Sequence, residues 1–237
     1  MVGFLFNNRL KINKDLKNAV RRRYFTPILF GSYESTTNAL KSNLSGICLD
    51  IGCGDMPYKE TIEKYVERYD TSDIEERIEG VTYVCSSTDM GIIPDNEYDS
   101  VTCLQVLEHV PDPFKSISEM NRILKPGGIL LITVPHLSRI HEAPYDFFRY
   151  TKFGLREILE KSGFEVQSIE EQNGLFSFLG HQISTVFLAL FWGIPLLKWL
   201  CFLLNILFVV YPCVLLDRIP FIRMLYPQGY ICIAKKV

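Results

Sequence analysis

Residues 46–54 read GICLDIGCG, an apolar run that ends in two glycines one residue apart. A short apolar run closed by glycine reads as a buried strand, and a helical pattern follows it at Tyr58, Ile62, Tyr65 and Val66. The rest of the chain repeats the alternation. ERYDTSDI (67–74), GVTYVCSS (80–87) and YDSVTCLQVL (98–107) read as the second to fourth strands. Phe114, Ile117, Met120, Ile123 and Leu124 form a helical apolar stripe, stopped by the proline and glycines of LKPGG. ILLITVP (129–135) is a fifth strand, TKFGLREILEKSGF (151–164) a helix, and FEVQSIEEQ (164–172) and GYICIAKKV (229–237) the last two strands. Strands alternating with helices predict a Rossmann-like α/β fold, a mostly parallel sheet covered on both faces.

At 237 residues the chain can build one such domain with a sizeable core. A net charge of -2 and a pI near 6.1 argue against a general nucleic-acid binder. Cys48, Cys53, Cys85, Cys103, Cys201, Cys213 and Cys232 form no C-x-x-C pair, and no histidine stands at zinc-finger spacing from them. They read as buried thiols in a reducing cytosol, with no metal expected. MVGFLFNNRLK lacks the pattern of a secretory signal, so a cytoplasmic location is expected.

In an open parallel sheet, ligands bind beyond the carboxyl ends of strands near the switch point, where glycine lets the backbone come close. A dinucleotide site would show G-x-G-x-x-G. Here Gly52 and Gly54 are followed by Asp55, Met56 and Pro57, and Asp50 and Asp55 would repel a phosphate. This disfavours a nicotinamide-linked dehydrogenase. A cationic, phosphate-free nucleoside fits better, and S-adenosylmethionine has those properties. Asp73, about 21 residues after Gly52, can accept both ribose hydroxyls, with Asp70 as the competing acid, and Asp89 can accept from an adenine amino group.

LDIGCGD, TSDI, TDMGIIPDNEYDSV, LEHVPDPFKSISEMNRILKPGG and LLITVP together resemble the class I S-adenosylmethionine-dependent methyltransferases, in particular the methyltransferase type-11 group, from about Gly46 to Gly174. The resemblance implies a seven-stranded sheet with an antiparallel last strand. It also implies that Asp50, Gly52 and Gly54 hold the methionine moiety and that Asp73 binds ribose. Asp89 and the Met90 backbone would meet adenine, and backbone near Leu104 and Gln105 would line the sulfonium region. The departure is GCGDMPY, where many relatives carry a third glycine.

Methyl transfer is an in-line displacement that depends on positioning, with a base needed when the acceptor is a hydroxyl. The segment after the fifth strand, HLSRIHEAPYDFFRYT, is dense in polar and aromatic groups and reads as a lid carrying acceptor contacts. His136 and His141 are the candidate bases, and Asp146 and Arg149 are further candidates. The competing reading is an Asp146–Arg149 pair that merely stiffens the lid. Glu108 and His109 read as structural. PYDFFRYT followed by GLREILEKSGFEV also resembles type-11 members among glycan and cell-surface polysaccharide enzymes. The expected reaction is therefore O-methylation of a sugar or lipid-linked glycan. The alternative is a non-catalytic cofactor-binding scaffold at a membrane.

Two segments flank this core. Arg9, Lys11, Lys14, Lys17, Arg21, Arg22 and Arg23 stand against Asp15 alone, which predicts an exposed basic helical extension over residues 1–43. The core is expected over 44–174 and 226–237, with an apolar helical insertion over 175–225. Within that insertion, Val186 to Asp217 holds Lys198 as its one internal charge. Two membrane spans would need about 40 apolar residues plus a turn, and Pro195, Lys198, Asn205 and Pro212 interrupt the run. The pattern predicts two or three short helices in peripheral membrane contact through 186–216, with Phe191, Trp192 and Trp199 at headgroup level and Lys198 snorkelling. A homodimer interface and a buried helical subdomain are the competing readings.

Overall fold

The computed structural model describes residues 2–16 and 18–237; Lys17 of the basic segment and Met1 lie outside the described residues. In chain order the elements are α1 (Val2–Asp15), α2 (Ala19–Arg22), α3 (Pro27–Asn43), β1 (Ile47–Ile51), α4 (Lys59–Ile62), β2 (Arg68–Asp73), β3 (Tyr83–Val84), β4 (Tyr98–Leu104) and α5 (Pro113–Ile123). They continue through β5 (Leu124–Pro135), α6 (Lys152–Lys161), β6 (Phe164–Gln172), α7 (Leu175–Phe191), α8 (Pro195–Asn205), α9 (Tyr211–Leu216), α10 (Pro220–Leu225) and β7 (Gly229–Lys236). Contacts divide the chain into two compact units.

The larger unit, Thr36–Glu170 with Gly229–Val237, carries a seven-stranded sheet in the order β3-β2-β1-β4-β5-β7-β6. β1 pairs in parallel with β2 and with β4, β4 with β5, and β2 with β3. β7 runs antiparallel to β5, from Ile129 opposite Lys235 to Pro135 opposite Gly229. The expected fold and the antiparallel last strand are both found. Alternate strand residues divide between two cores. Leu49, Val101, Leu130 and Ile132 meet Ile117 and Met120 of α5 and Leu155 and Leu159 of α6. Cys48, Leu131, Ile231 and Ile233 meet Leu40 of α3 and Ile62 of α4 on the other face. Burial on both faces explains why the strands read as unbroken apolar runs.

Three expected elements change length. α4 is one turn only, because Glu67 N–H must reach the Gly46 carbonyl (2.7 Å) five residues later to start β2. β3 shrinks to two residues paired with Ser72 and Asp73. LKPGG does end α5, yet it also begins β5: Leu124 already pairs with Tyr98, and a bulge restores register by Ser100.

The smaller unit unites the two flanking segments, Met1–Ser35 with Glu171–Gln228, which the sequence reading kept apart. The N-terminal segment is not a solvated extension. Ile12 and Leu16 of α1 are buried with Phe25 against Leu188, Trp192 and Cys201. Asn8 donates to the Ala189 carbonyl (2.8 Å). Asp15 accepts from Trp192 Nε1 (3.1 Å) and from Lys198 Nζ (2.6 Å). Lys198 is thus paired rather than snorkelling, and Trp192 is buried rather than at a headgroup level. These are corrections: basic residues on the exposed side of a helix say nothing of what its apolar stripe packs against.

The apolar insertion also differs from short interrupted helices. α8, a five-residue π-helical segment (Ile206–Val210) and α9 join into one 22-residue helix, Pro195–Leu216, with mean hydropathy 2.4. By length and composition it could cross a membrane, and only 17% of its apolar window is buried. The supposed breakers are each accommodated. Pro195 opens the helix, where its missing N–H costs nothing. Pro212 follows the π segment, whose wider turn relieves the clash a proline makes with the preceding turn. Asn205 is buried and donates to the Phe25 carbonyl (3.1 Å). α7, 17 residues long, packs along α8, the π segment and α9, forming a helical hairpin.

Asp217 closes that hairpin. Its carboxylate accepts from the backbone N–H groups of Gly174, Phe176 and Ser177 at 2.8–3.0 Å, which caps the N-terminus of α7 from the end of α9. We expect Asp217→Ala to destabilise this unit by about 2 kcal/mol, since it orphans three backbone donors, two of them buried. A lowered thermal midpoint in a circular dichroism melt checks this.

Candidate active site

The glycines of the turn after β1 already have partners for their N–H groups. Gly52 and Cys53 N–H both donate to the Ser72 carbonyl at 2.8 and 3.1 Å. Gly54 N–H donates to Asp73 Oδ2 at 2.9 Å. A phosphate-binding turn would leave these groups free for the anion; here β2 has taken them. Gly52 adopts φ +65°, and a Cβ on it would lie 2.5 Å from Val106, just past β4. Gly54 adopts φ +51° and faces open space. The first glycine is needed for packing, the second leaves a crevice open above β1.

Asp73 is buried at the carboxyl end of β2 beside that crevice. Asp70 lies deeper in the strand and is already engaged by Arg68 Nε (3.0 Å) and Tyr98 Oη (2.9 Å). Geometry therefore favours Asp73 as the acid available to a ligand. Asp50 sits beneath the turn, with Tyr69 Oη at 2.8 Å on one carboxylate oxygen and Thr102 Oγ1 at 2.6 Å on the other. Burial pushes its carboxyl up to about 6 against those hydroxyls. Its side chain is too occupied to grip a ligand directly; what it offers the crevice is nearby negative charge.

Asp89 is exposed on the loop after β3. Met90 is less available than expected: its N–H donates to Glu119 Oε2 (2.9 Å) and its carbonyl accepts from Arg122 Nη2 (2.8 Å). This anchors the Asp89 loop to α5 and removes Met90 N–H as an adenine donor. Leu104 ends β4, and Gln105 takes a left-handed conformation at φ +57°, held by its N–H to the Thr133 carbonyl (3.0 Å). A non-glycine residue there costs on the order of 1 kcal/mol, the kind of local strain that clusters at ligand sites.

The segment after β5 folds back over the short 3-10 turn Leu107–His109. Phe147 and Phe148 N–H donate to the Glu108 carbonyl (2.9 and 3.2 Å), and Tyr150 Oη donates to the Leu107 carbonyl (3.1 Å). His136 follows β5. Its Nδ1 lies 2.8 Å from the Tyr150 carbonyl, which must accept, so the proton sits on Nδ1 and Nε2 carries the basic lone pair. Asp146 and Arg149 form a fork-to-fork pair at 2.6 and 2.7 Å, and Asp146 also accepts from His141 N–H (2.8 Å). The guanidinium holds the Asp146 carboxyl well below the usual range. Of the two readings of Asp146 and Arg149, the contacts match the pair that stiffens this segment: they brace His141.

Glu108 and His109, read as structural from sequence, belong to this site. Glu108 is fully buried, and among the described residues neither carboxylate oxygen has a hydrogen-bond partner. Burial pushes its carboxyl up to about 8. His109 and His141 bring Nε2 to 3.7 and 3.9 Å from Glu108 Oε1. The sequence signal was present in LEH, but nothing in the sequence places His141 on it.

The family model described as a methyltransferase domain matches residues 21–169. A protein of Mycolicibacterium smegmatis named for S-adenosylmethionine-dependent methyl transfer is 35% identical over 94 residues, 37% of this chain and 35% of its own. The ubiquinone biosynthesis O-methyltransferase of Coxiella burnetii is 30% identical over 97 residues, 36% of this chain and 42% of its own. The chain thus spans less than half the length of these curated relatives. The crystal structure of a SAM dependent methyltransferase from Archaeoglobus fulgidus superposes with a TM-score of 0.54 at 19% identity, covering 86% of this chain and 94% of that one, which shows a common fold. The cofactor that goes with this family is S-adenosylmethionine. The family match runs through the glycine turn, Asp73, the Asp89 loop and the Leu107–His109 turn, and on that ground the chain belongs to the class I S-adenosylmethionine-dependent methyltransferases.

Proposed function

We propose that this chain transfers the methyl group of S-adenosylmethionine to an oxygen of a sugar or lipid-linked glycan at a membrane surface. The observation that carries the reading is His136. It stands past the carboxyl end of β5, at the same end of the sheet as the Gly52–Gly54 turn, with Nδ1 2.8 Å from the Tyr150 carbonyl, which in the neutral ring leaves the lone pair on Nε2. An alcohol needs such a base, whereas the remainder of the reaction is positioning. The acceptor hydroxyl would give its proton to His136 Nε2, and the cofactor would supply an electrophilic methyl group whose carbon–sulfur bonding pair stays on sulfur as S-adenosylhomocysteine. Asp73 would hold the ribose hydroxyls, Asp89 the adenine amino group, and backbone at Leu104 and Gln105 would line the sulfonium region. Relatives named for O-methylation in ubiquinone biosynthesis support transfer to oxygen.

The apolar hairpin supports an amphiphilic acceptor. Leu196, Leu200, Leu203, Leu207, Phe208 and Leu215 of the 22-residue helix, with Ile183, Val186 and Leu190 of α7, are all at least 44% exposed. A monomer rarely leaves so many large side chains in water without a lipid or protein surface to meet. A lipid surface fits the length and composition of Pro195–Leu216. The enzyme then works at the cytoplasmic face, with exposed Lys11, Arg21 and Arg22 adding attraction to anionic headgroups.

Three measurements test this. Calorimetric titration should find S-adenosylhomocysteine bound and NAD not, with Asp73→Ala weakening the former by about 10- to 100-fold. With labelled cofactor, label should enter a lipid or glycan extract fraction, and His136→Ala should lower kcat by about 100- to 10,000-fold while S-adenosylhomocysteine binding is retained. Full cofactor affinity with no transfer to any fraction would favour a non-catalytic binding protein. The protein should float with anionic liposomes at low salt; failure to float together with a stable dimer would assign the hairpin to a subunit interface instead.

A further inference from the structure

We propose that Glu108, His109 and His141 bind a divalent transition-metal ion beside the crevice. The three ligand atoms lie within 4.8 Å of one another. Glu108 Oε1 stands 3.7 Å from His109 Nε2 and 3.9 Å from His141 Nε2, too far for hydrogen bonds. Donors about 2.1 Å from a tetrahedral zinc-sized ion stand about 3.4 Å apart, so binding would draw the three groups together by ring and carboxylate rotations.

The tautomers point the same way. His109 Nδ1 lies 2.6 Å from the Tyr145 carbonyl, which can only accept, so His109 carries its proton there and turns the Nε2 lone pair towards Glu108. His141 Nδ1 lies 3.4 Å from both Asp146 Oδ2 and the Arg139 carbonyl. Arg149 Nη2 is 3.5 Å away, but it already donates to Asp146 Oδ2 (2.7 Å) and the Arg139 carbonyl (2.9 Å). The His141 proton therefore also belongs on Nδ1, and its Nε2 pair also faces Glu108. Two ring nitrogens thus approach a fully buried carboxylate that has, among the described residues, no hydrogen-bond partner on either oxygen. Without a cation the buried carboxyl has no compensating partner among the described residues. Imidazoles whose far N–H is held by a carbonyl or carboxylate are the usual form of metal-bound histidine.

Two imidazoles and one carboxylate suit zinc, manganese, iron or cobalt rather than calcium. Both histidines are partly exposed, so further positions on the ion stay open. Resting on the O-methyl reading, one of those positions would receive an oxygen of the acceptor and orient it for the methyl group. Asp146 and Arg149 then have a defined task as positioning residues for the His141 ligand.

The test uses the full chain, stripped with a chelator and titrated with Co²⁺ and then with Zn²⁺. The expected result is one equivalent of Co²⁺ with a visible d–d spectrum that Zn²⁺ displaces. Glu108→Gln keeps the shape and all seven cysteines, and should weaken binding by more than about 100-fold, beyond the loss typical of outer-shell changes. Asp146→Asn should weaken it less, by about 10- to 100-fold. Retained S-adenosylhomocysteine binding shows that each variant is folded. No stoichiometric binding, or binding unchanged in Glu108→Gln, overturns the proposal, and the cofactor reading survives if S-adenosylhomocysteine still binds. Metal bound with no methyl transfer would leave the ion site standing and remove the O-methyl reading.

Discussion

The site depends on one close approach. Val106 occupies the space where a Cβ on Gly52 would lie, so the turn after β1 can settle against the end of β4 only because residue 52 has no side chain. That approach brings the β1 turn, Gln105 and the Leu107–His109 turn to one end of the sheet. The carboxyl ends of neighbouring parallel strands then open a crevice, as the reversal of strand order at β1 and β4 requires. The backbone donors of the turn are spent on Ser72 and Asp73. The crevice consequently offers carboxylates rather than N–H groups, the polarity a sulfonium and ammonium need and a pyrophosphate does not.

A second layer is stitched onto this edge by main-chain bonds. Phe147, Phe148 and Tyr150 tie the segment after β5 to Leu107 and Glu108, so a stretch without regular structure is held by the turn it covers. Asp146 and Arg149 then fix His141 over Glu108. Polar groups that looked like separate candidates form one arrangement in which the Nδ1 atoms of His109 and His141 face backbone or carboxylate oxygens, while among the described residues no donor reaches the buried carboxylate. The smaller unit follows a different logic. Its core is Ile12, Leu16, Phe25, Leu188, Trp192 and Cys201, its polar anchors are Asp15, Asn205 and Asp217, and most of the long apolar helix faces outward.

Much of this was legible. Every strand was found, because doubly covered parallel strands leave uninterrupted apolar runs and the loops between them carry glycine, proline and aspartate. Asp73 was preferred over Asp70 on spacing; in the structure Asp70 is held by Tyr98 and Arg68, and Asp73 ends β2 beside the turn. Less legible were Met90, whose N–H is claimed by Glu119 from 29 residues away, and Lys198, whose partner Asp15 lies 183 residues distant. Pro212 was read as a helix stop because local rules price the proline alone, while the π segment before it absorbs the cost.

What the sequence by itself determined is the α/β class, the strand order up to lengths, the family, and the glycine turn with its acids, because these depend on local periodicity and on residues close in the chain. Only the tertiary structure decided that the N-terminal helix and the apolar insertion share a core, that Asp146 and Arg149 serve His141, and that His109 and His141 meet Glu108. The shared core of the smaller unit and the meeting of His141 with Glu108 depend on residues far apart in the chain, and even the short-range bracing of His141 by Asp146 and Arg149 depends on a loop shape set by the turn it covers, which no local pattern carries.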